Sequence, residues 1–162
     1  MLRYGISEGE QGMLEWAWVE GQLTAARNYW ISTVTPESKP HAAPVWGLWH
    51  DGAFYFSTDV ESRKAKNIAA NPALALHLES GDDAVMLEGE AALVTDGDQL
   101  DELSRVYNAK YPGYVQDFRN QKEGVVYMLE ARKALAWKES DFPNTATRWT
   151  AATTCATSCW WA

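Results

Sequence analysis

Hydrophobic and polar positions change their period several times along this chain of 162 residues. Residues 10–26 (EQGMLEWAWVEGQLTAA) set Met13, Leu14, Trp16, Ala17 and Leu23 at spacings that predict an amphipathic helix. The period then shortens. RNYWISTVT (27–35) predicts a strand, PESK a tight turn, PHAAPVWGLW (40–49) a second strand, HDG a hairpin turn, and AFYFST (53–58) a third strand. Pro44 marks an edge or a bulge in the second strand, and Gly47 a point where something approaches the backbone closely. Residues 57–72 (STDVESRKAKNIAANP) return to helical spacing. Thr58, Asp59 or Ser62 can cap the run, Ala65, Ile68, Ala69 and Ala70 follow, and Asn71-Pro72 stops it. ALALHLES, a turn at Gly81-Asp82, and AVMLEGEAALVT predict two further strands. A helix over 98–111 carries Leu100, Leu103, Val106 and Tyr107 on one face, and GVVYMLEARKALAW (124–137) reads as a last long strand.

Six strands, mostly in hairpin order, with about three helices predict a mainly β fold: an antiparallel barrel with helices packed outside it. One domain over residues 1–150 accounts for the pattern, with the N-terminal helix included. Even eight strands leave little interior room, so a six-stranded barrel must hold any cofactor on its outside or between two copies. The final AATTCATSCWWA (151–162) has neither period and reads as a frayed or artificial tail.

Composition narrows the partners. A formal net charge of −8 argues against nucleic acid and against an anionic membrane surface. Cys155 and Cys159 both lie in the last eight residues, too close to the end to staple a framework. The opening MLRYGISEGEQ lacks an apolar core and no apolar run approaches membrane length, so the expectation is a cytoplasmic protein. Nine Trp residues exceed what a core of this size needs, which points to some of them lining a pocket or a subunit interface.

The candidate chemistry starts from a misplaced charge. Arg63, Lys64 and Lys66 occupy the first turn or so of the 57–72 helix, where the helix dipole already supplies about half a positive charge. A helix start with unpaired N–H groups, an Arg fork, an ammonium, and hydroxyls at Ser57 and Thr58 is suited to a phosphate dianion; a solvated basic face is the plain alternative. In PHAAPVWGLW, the small residues at 42 and 43, the donorless Pro44 and Gly47 make a strand whose backbone a flat ring could approach, with Trp46 or Trp49 as a wall. His41, His50 and His77 lack metal-ligand spacing, and Glu88 and Glu90 read as solvated strand residues. No phosphate-loop, dinucleotide, nucleophile-elbow or zinc-protease motif occurs, so any redox chemistry falls to a bound cofactor.

In this order the pieces resemble the flavin-binding split-barrel family that includes pyridoxamine 5′-phosphate oxidase. The resemblance covers about Arg27 to Trp149 and rests on PHAAPVWGLW, YFSTDVESRKAKNIAANPALALHLE, VMLEGEA and the ATRW at 146–149. It implies a six-stranded split barrel, a homodimer, and one flavin at each of two sites between subunits. Arg63 and Lys64 match the family's phosphate ligands. Ser57 and Thr58 match the strand-end residues that contact phosphate and ribityl chain, and Ser62 belongs to the same motif. Backbone at Val45 and Trp46 would face the isoalloxazine ring, and Trp137 and Trp149 would approach from the partner or cover the ring's open face. The resemblance implies FMN-dependent hydride transfer to or from a small planar substrate. Two alternatives accompany it: a reductase using the deazaflavin coenzyme F-420, and a non-catalytic flavin- or haem-binding protein. Ala42 and Gly47 stand where true pyridoxamine phosphate oxidases carry Arg and Lys, and ATRW replaces their C-terminal substrate signature. The deazaflavin's polyglutamate tail would ask for further cations, for which Lys66, Arg105 and Lys110 are at hand.

Overall fold

The structure, a computed structural model, describes residues 13–120 and 124–151 and the backbone of 160–161. Residues 10–12 of the expected first helix, and Cys155 and Cys159, lie outside the described residues. In chain order the elements are α1 (Trp16–Ala25), β1 (Tyr29–Val34), β2 (Pro40–Val45), β3 (Gly47–His50), β4 (Ala53–Thr58), α2 (Arg63–Ala70), β5 (Ala73–His77), β6 (Asp83–Leu93), α3 (Gly97–Lys110), β7 (Val125–Lys138), α4 (Phe142–Thr145), β8 (Thr147–Ala151) and β9 (Trp160–Trp161).

Every pairing is antiparallel, and the order is β2-β1-β5-β6-β7-β4-β3. The two ends of that path, β2 and β3, are joined in sequence by Trp46 alone, so the sheet closes on itself through the chain. This corrects the single strand expected at 40–49. Its first half pairs with β1 and its second with β4, because the backbone breaks at Trp46 and changes partners. Counted as one broken strand, β2 and β3 make the barrel six-stranded, and β8 and β9 are additions on the edge of β7. The stretch expected to be a tail therefore contributes strand at Ala151 and at Trp160–Trp161.

Alternation decides which side chains go inward. Tyr29, Ile31 and Thr33 of β1 are buried, and Phe54 and Phe56 of β4 point into the same interior as Leu74, Leu76, Leu87 and Leu129. Tyr55, between the two Phe residues, faces the other way and joins Leu48, Leu100, Leu103, Tyr107 and Phe118 in a second cluster under α3. Two glycines are required by close approach. A Cβ on Gly47 would stand 2.5 Å from the Phe54 ring and 2.6 Å from the Tyr55 carbonyl, so what approaches this backbone is the protein's own strand. A Cβ on Gly89 would collide with the Glu130 carbonyl, at the bulge where the β6–β7 register shifts and the sheet bends.

The helices fill what the strands leave open. Val19 and Leu23 of α1, one turn apart, are the residues it buries; Trp16 and Leu14 pack partly against the barrel, whereas Ala17 is exposed, contrary to the expected face. Ala65 and Ile68 of α2 enter the barrel cluster, and Asn67, 1% exposed, donates to Thr33 Oγ1 at 2.9 Å. Fully burying an aliphatic side chain of this size stabilises by about 1.5–3 kcal/mol, so Ile68 alone is a substantial anchor for α2.

Candidate cofactor site

The site begins where β4 hands over to α2. Ser57 and Thr58 end β4 and pair with Val126 and Val125 at the start of β7. The Thr58 and Ser62 hydroxyls lie 3.0 Å apart, and Ser62 Oγ accepts from Ala65 N–H at 3.2 Å. Ser62 is therefore the cap of α2, and Thr58 braces the cap; Asp59 is occupied otherwise, accepting from the Glu61 N–H. Lys66 N–H bonds to the Ser62 carbonyl, leaving the N–H groups of Arg63 and Lys64 without partners among the described residues.

The three cations differ in their surroundings. Lys66 is held by Glu61 at 2.9 Å. Arg63 is exposed and Lys64 partly so, and among the described residues neither has a carboxylate within ion-pair distance. The helix start thus carries two N–H groups and two cations without partners among the described residues, next to the Thr58–Ser62 hydroxyl pair; neither Arg63 nor Lys64 lines the cavity beside it.

Beside this strand end is a cavity of about 460 Å³ lined by Ser57, Thr58, Gln116, Asp117, Asn120 and Gly124 among others. Its volume falls within the roughly 300–1,000 Å³ of small-molecule sites. The segment after α3 was not expected to take part. Its local signal is weak, because its placement comes from the fold: Asn108 ties it back by donating to the Gln116 carbonyl and accepting from the Gln116 N–H.

Trp46 follows the same strand pair outward. The last registered pair of β3 and β4 is Gly47↔Phe56, so Trp46 comes level with Ser57. Its indole stacks on Tyr111 at 4.9 Å, meets Tyr114 edge-on at 4.6 Å, and donates to Asn28 Oδ1 at 3.1 Å. Val45 is 8% exposed with its side chain in the core, so only its backbone is available to a ligand.

The two remaining tryptophans are elsewhere. Trp137 pairs with Ala84 near the far end of β6–β7, roughly 35 Å of strand along β7 from the residues opposite Ser57 and Thr58. It meets Phe142 edge-on at 5.6 Å, lines a cavity of about 390 Å³ with Phe142 and Arg148, and its indole N–H is buried without a partner. Trp149 is 3% exposed and edge-on to Trp16 at 5.5 Å. It belongs to the hydrophobic core and offers no open face to a cofactor, which corrects the expectation for that residue. The cations named for a polyglutamate tail are also engaged: Lys66 with Glu61, Arg105 with Glu102 at 2.6 Å, and Lys110 with Tyr29 at 2.7 Å. His41, His50 and His77 do not converge, and no metal-holding cluster occurs among the described residues. No helix among them is long and apolar enough to cross a membrane.

The closed antiparallel sheet with its flanking helices defines the chain's class as a split-barrel protein. The chain belongs to the pyridoxamine 5′-phosphate oxidase family, whose model matches residues 18–138. A pyridoxine/pyridoxamine 5′-phosphate oxidase of Bacteroides thetaiotaomicron is 39% identical over 79 residues, 46% of this chain. The match spans 36% of that relative's length. Among solved structures, a conserved hypothetical protein of Mycobacterium tuberculosis superposes with a TM-score of 0.67 at 23% identity, covering 86% of this chain and 90% of that one. An F420 reductase superposes with a TM-score of 0.58 at 21% identity, covering 71% and 94%. These likenesses establish the split-barrel fold.

Proposed function

We propose that the chain binds FMN and works as a flavin-dependent oxidoreductase on a small planar substrate. The observation that carries the reading is the pair of uncompensated cations, Arg63 and Lys64, beside the Thr58–Ser62 hydroxyl pair at the start of α2. Cations placed against the helix dipole and left without carboxylates are stabilised when a phosphate dianion docks there. Arg63 would bond the phosphate as a fork, Lys64 as a point charge, and Ser57 and Thr58 through their hydroxyls. The backbone at Val45 and Trp46, level with Ser57, would meet the ring. Bound flavin supplies hydride transfer; the chain supplies orientation and a site with restricted water.

A second copy of the chain completes the reading. Trp137 is too distant to reach the cofactor of its own protomer, so a homodimer would have to present it from the partner. The physiological setting we read as cytoplasmic, on the sequence grounds given. The alternative cofactor is the deazaflavin F-420, which shares the ring and the ribityl phosphate; the fold likeness to an F420 reductase supports it. The engagement of Lys66, Arg105 and Lys110 favours FMN, because a polyglutamate tail would find few free cations.

Equilibrium titration with FMN, followed by flavin fluorescence, tests the phosphate assignment. Arg63→Ala should weaken binding by about 1.5–3 kcal/mol, the scale of a hydrogen bond to a charged group. An unchanged affinity removes Arg63 from the site. Mass spectrometry of cofactor released after expression in a host that makes both flavins decides between them.

A further inference from the structure

Two consecutive residues at the end of α3 grip one residue of the barrel wall. Lys110 Nζ donates to the Gly47 carbonyl at 3.1 Å and to the Tyr29 hydroxyl at 2.7 Å, and Tyr29 in turn donates to the Leu23 carbonyl of α1. The Tyr111 hydroxyl accepts from the Gly47 N–H at 3.1 Å. It also lies 2.9 Å from the Gly47 carbonyl and 2.8 Å from that of Arg27, either of which can take its proton. Both backbone polar groups of Gly47 are thus taken by side chains of α3 and its cap, one residue past the break at Trp46.

The rest of the arrangement bears on the same break. The Tyr111 ring lies flat against Trp46, 3° from parallel, and Arg27 stands over the same indole at 5.0 Å. Tyr111 is 1% exposed. Lys110 has no carboxylate partner among the described residues; it faces the rings of Tyr29 and Tyr111 at 4.9 and 5.5 Å, and Arg27 sits over Tyr111 at 5.9 Å. Burial lowers the Lys110 pKa to about 8. A tie serving stability alone is made more cheaply by an apolar side chain, since a half-buried ammonium without a counter-charge costs desolvation.

We propose that Lys110 and Tyr111 are positioning residues, which through Gly47 hold the Val45–Trp46 backbone at the geometry in which it meets the cofactor ring. The inference rests on the reading of that backbone as the ring-facing wall. It goes beyond that reading by assigning the ring's placement to Lys110 at the end of α3 and to Tyr111, its cap.

The experiment compares Tyr111→Phe, Lys110→Met and Lys110→Arg with wild type and with Arg63→Ala. In cofactor-free protein, Tyr111→Phe should speed hydrogen exchange at the Gly47 amide by about tenfold and leave the β6–β7 ladder unchanged. With FMN, Tyr111→Phe and Lys110→Met should each weaken binding by about tenfold and shift the visible spectrum of bound flavin. Arg63→Ala should weaken binding without that shift. Lys110→Arg should restore affinity to within about threefold of wild type, and Lys110→Met should lose any change of affinity between pH 7 and 9. Should Lys110→Met fail to fold, Tyr111→Phe and Lys110→Arg carry the test. Folded variants with wild-type affinity and spectrum overturn the positioning role even if exchange at Gly47 accelerates. A wild-type protein that takes up no FMN overturns the functional reading itself, and this inference with it.

Discussion

The start of α2 and the end of α3 both carry cations, and the fold treats them in opposite ways. Arg63, exposed, and Lys64, partly exposed, stand at the positive end of their helix dipole without a carboxylate in ion-pair distance among the described residues. Lys110 stands at the negative end of its helix, where a cation is favoured, yet it is half-buried and engaged by Tyr29 and Gly47. The first pair carries an electrostatic cost that, on the proposed reading, a bound phosphate would relieve. The second has its hydrogen bonds satisfied within the protomer. On the proposed reading, the exposed cations mark where a ligand would bind, and Lys110, also without a carboxylate among the described residues but hydrogen-bonded within the protomer, helps hold that surface in place.

The contrast can be broken from the α3 side first. Gly47→Ala places a methyl against the Phe54 ring and the Tyr55 carbonyl, so strand β3 must move. We expect a loss of about 2–3 kcal/mol in urea unfolding, the scale of overpacking, with weaker FMN uptake. A variant as stable as wild type would show that the seam is looser than its contacts imply.

A smaller effect tests the buried amine. Lys110 has a folded-state pKa of about 8 against an ordinary 10.5. Below pH 8 the ammonium is charged in both states and its desolvation cost is fully present. Between about 8 and 10.5 the unfolded chain binds more protons, so stability rises with pH. Burial also raises the pKa values of Tyr29 and Tyr107, which opposes that rise above about pH 10. Denaturation midpoints at pH 7.5 and 9.5, with Lys110→Met subtracted, isolate the lysine; a pH response equal in both proteins would place its amine in water.

The smallest effect sharpens the α2 side. Replacing both Arg63 and Lys64 by Ala removes cations from the dipole's positive end, so thermal stability without ligand should rise by about 0.5 kcal/mol. Removing Lys66, whose exposed pair with Glu61 is worth little, should change stability by less than about 0.5 kcal/mol. A clear destabilisation by the double change would mean that the two cations serve the fold, and the phosphate argument would lose its basis.

Much of the barrel was legible along the chain because its signals are local. AFYFST forms strand over the same residues, 53–58, since three consecutive aromatics and a β-branched Thr58 between turn residues leave few other options. The α2 start was legible in kind, with Thr58, Asp59 or Ser62 as its cap and the cations following; the structure chose Ser62 and put Ala65 and Ile68 on the buried face. PHAAPVWGLW was legible as strand but not as two strands, because the break at Trp46 comes from barrel closure, a property of the six pairings along the sheet taken together. Trp149 and Trp137 show the same limit. Both are aromatic residues in strands, yet one fills the core beside Trp16 and the other lines a cavity with Phe142. Nothing in their neighbours in sequence separates the two.

By itself, then, the amino-acid sequence determined the strand and helix menu and the location of the charged helix start. These follow from side-chain period, capping chemistry and the helix dipole, which act over a few residues. Tertiary structure alone decided which cations remain uncompensated, where the barrel splits, and that Lys110 and Tyr111 reach Gly47 across 63 and 64 positions of chain. Those outcomes depend on which distant groups are brought within hydrogen-bond range, and only the closed barrel fixes that.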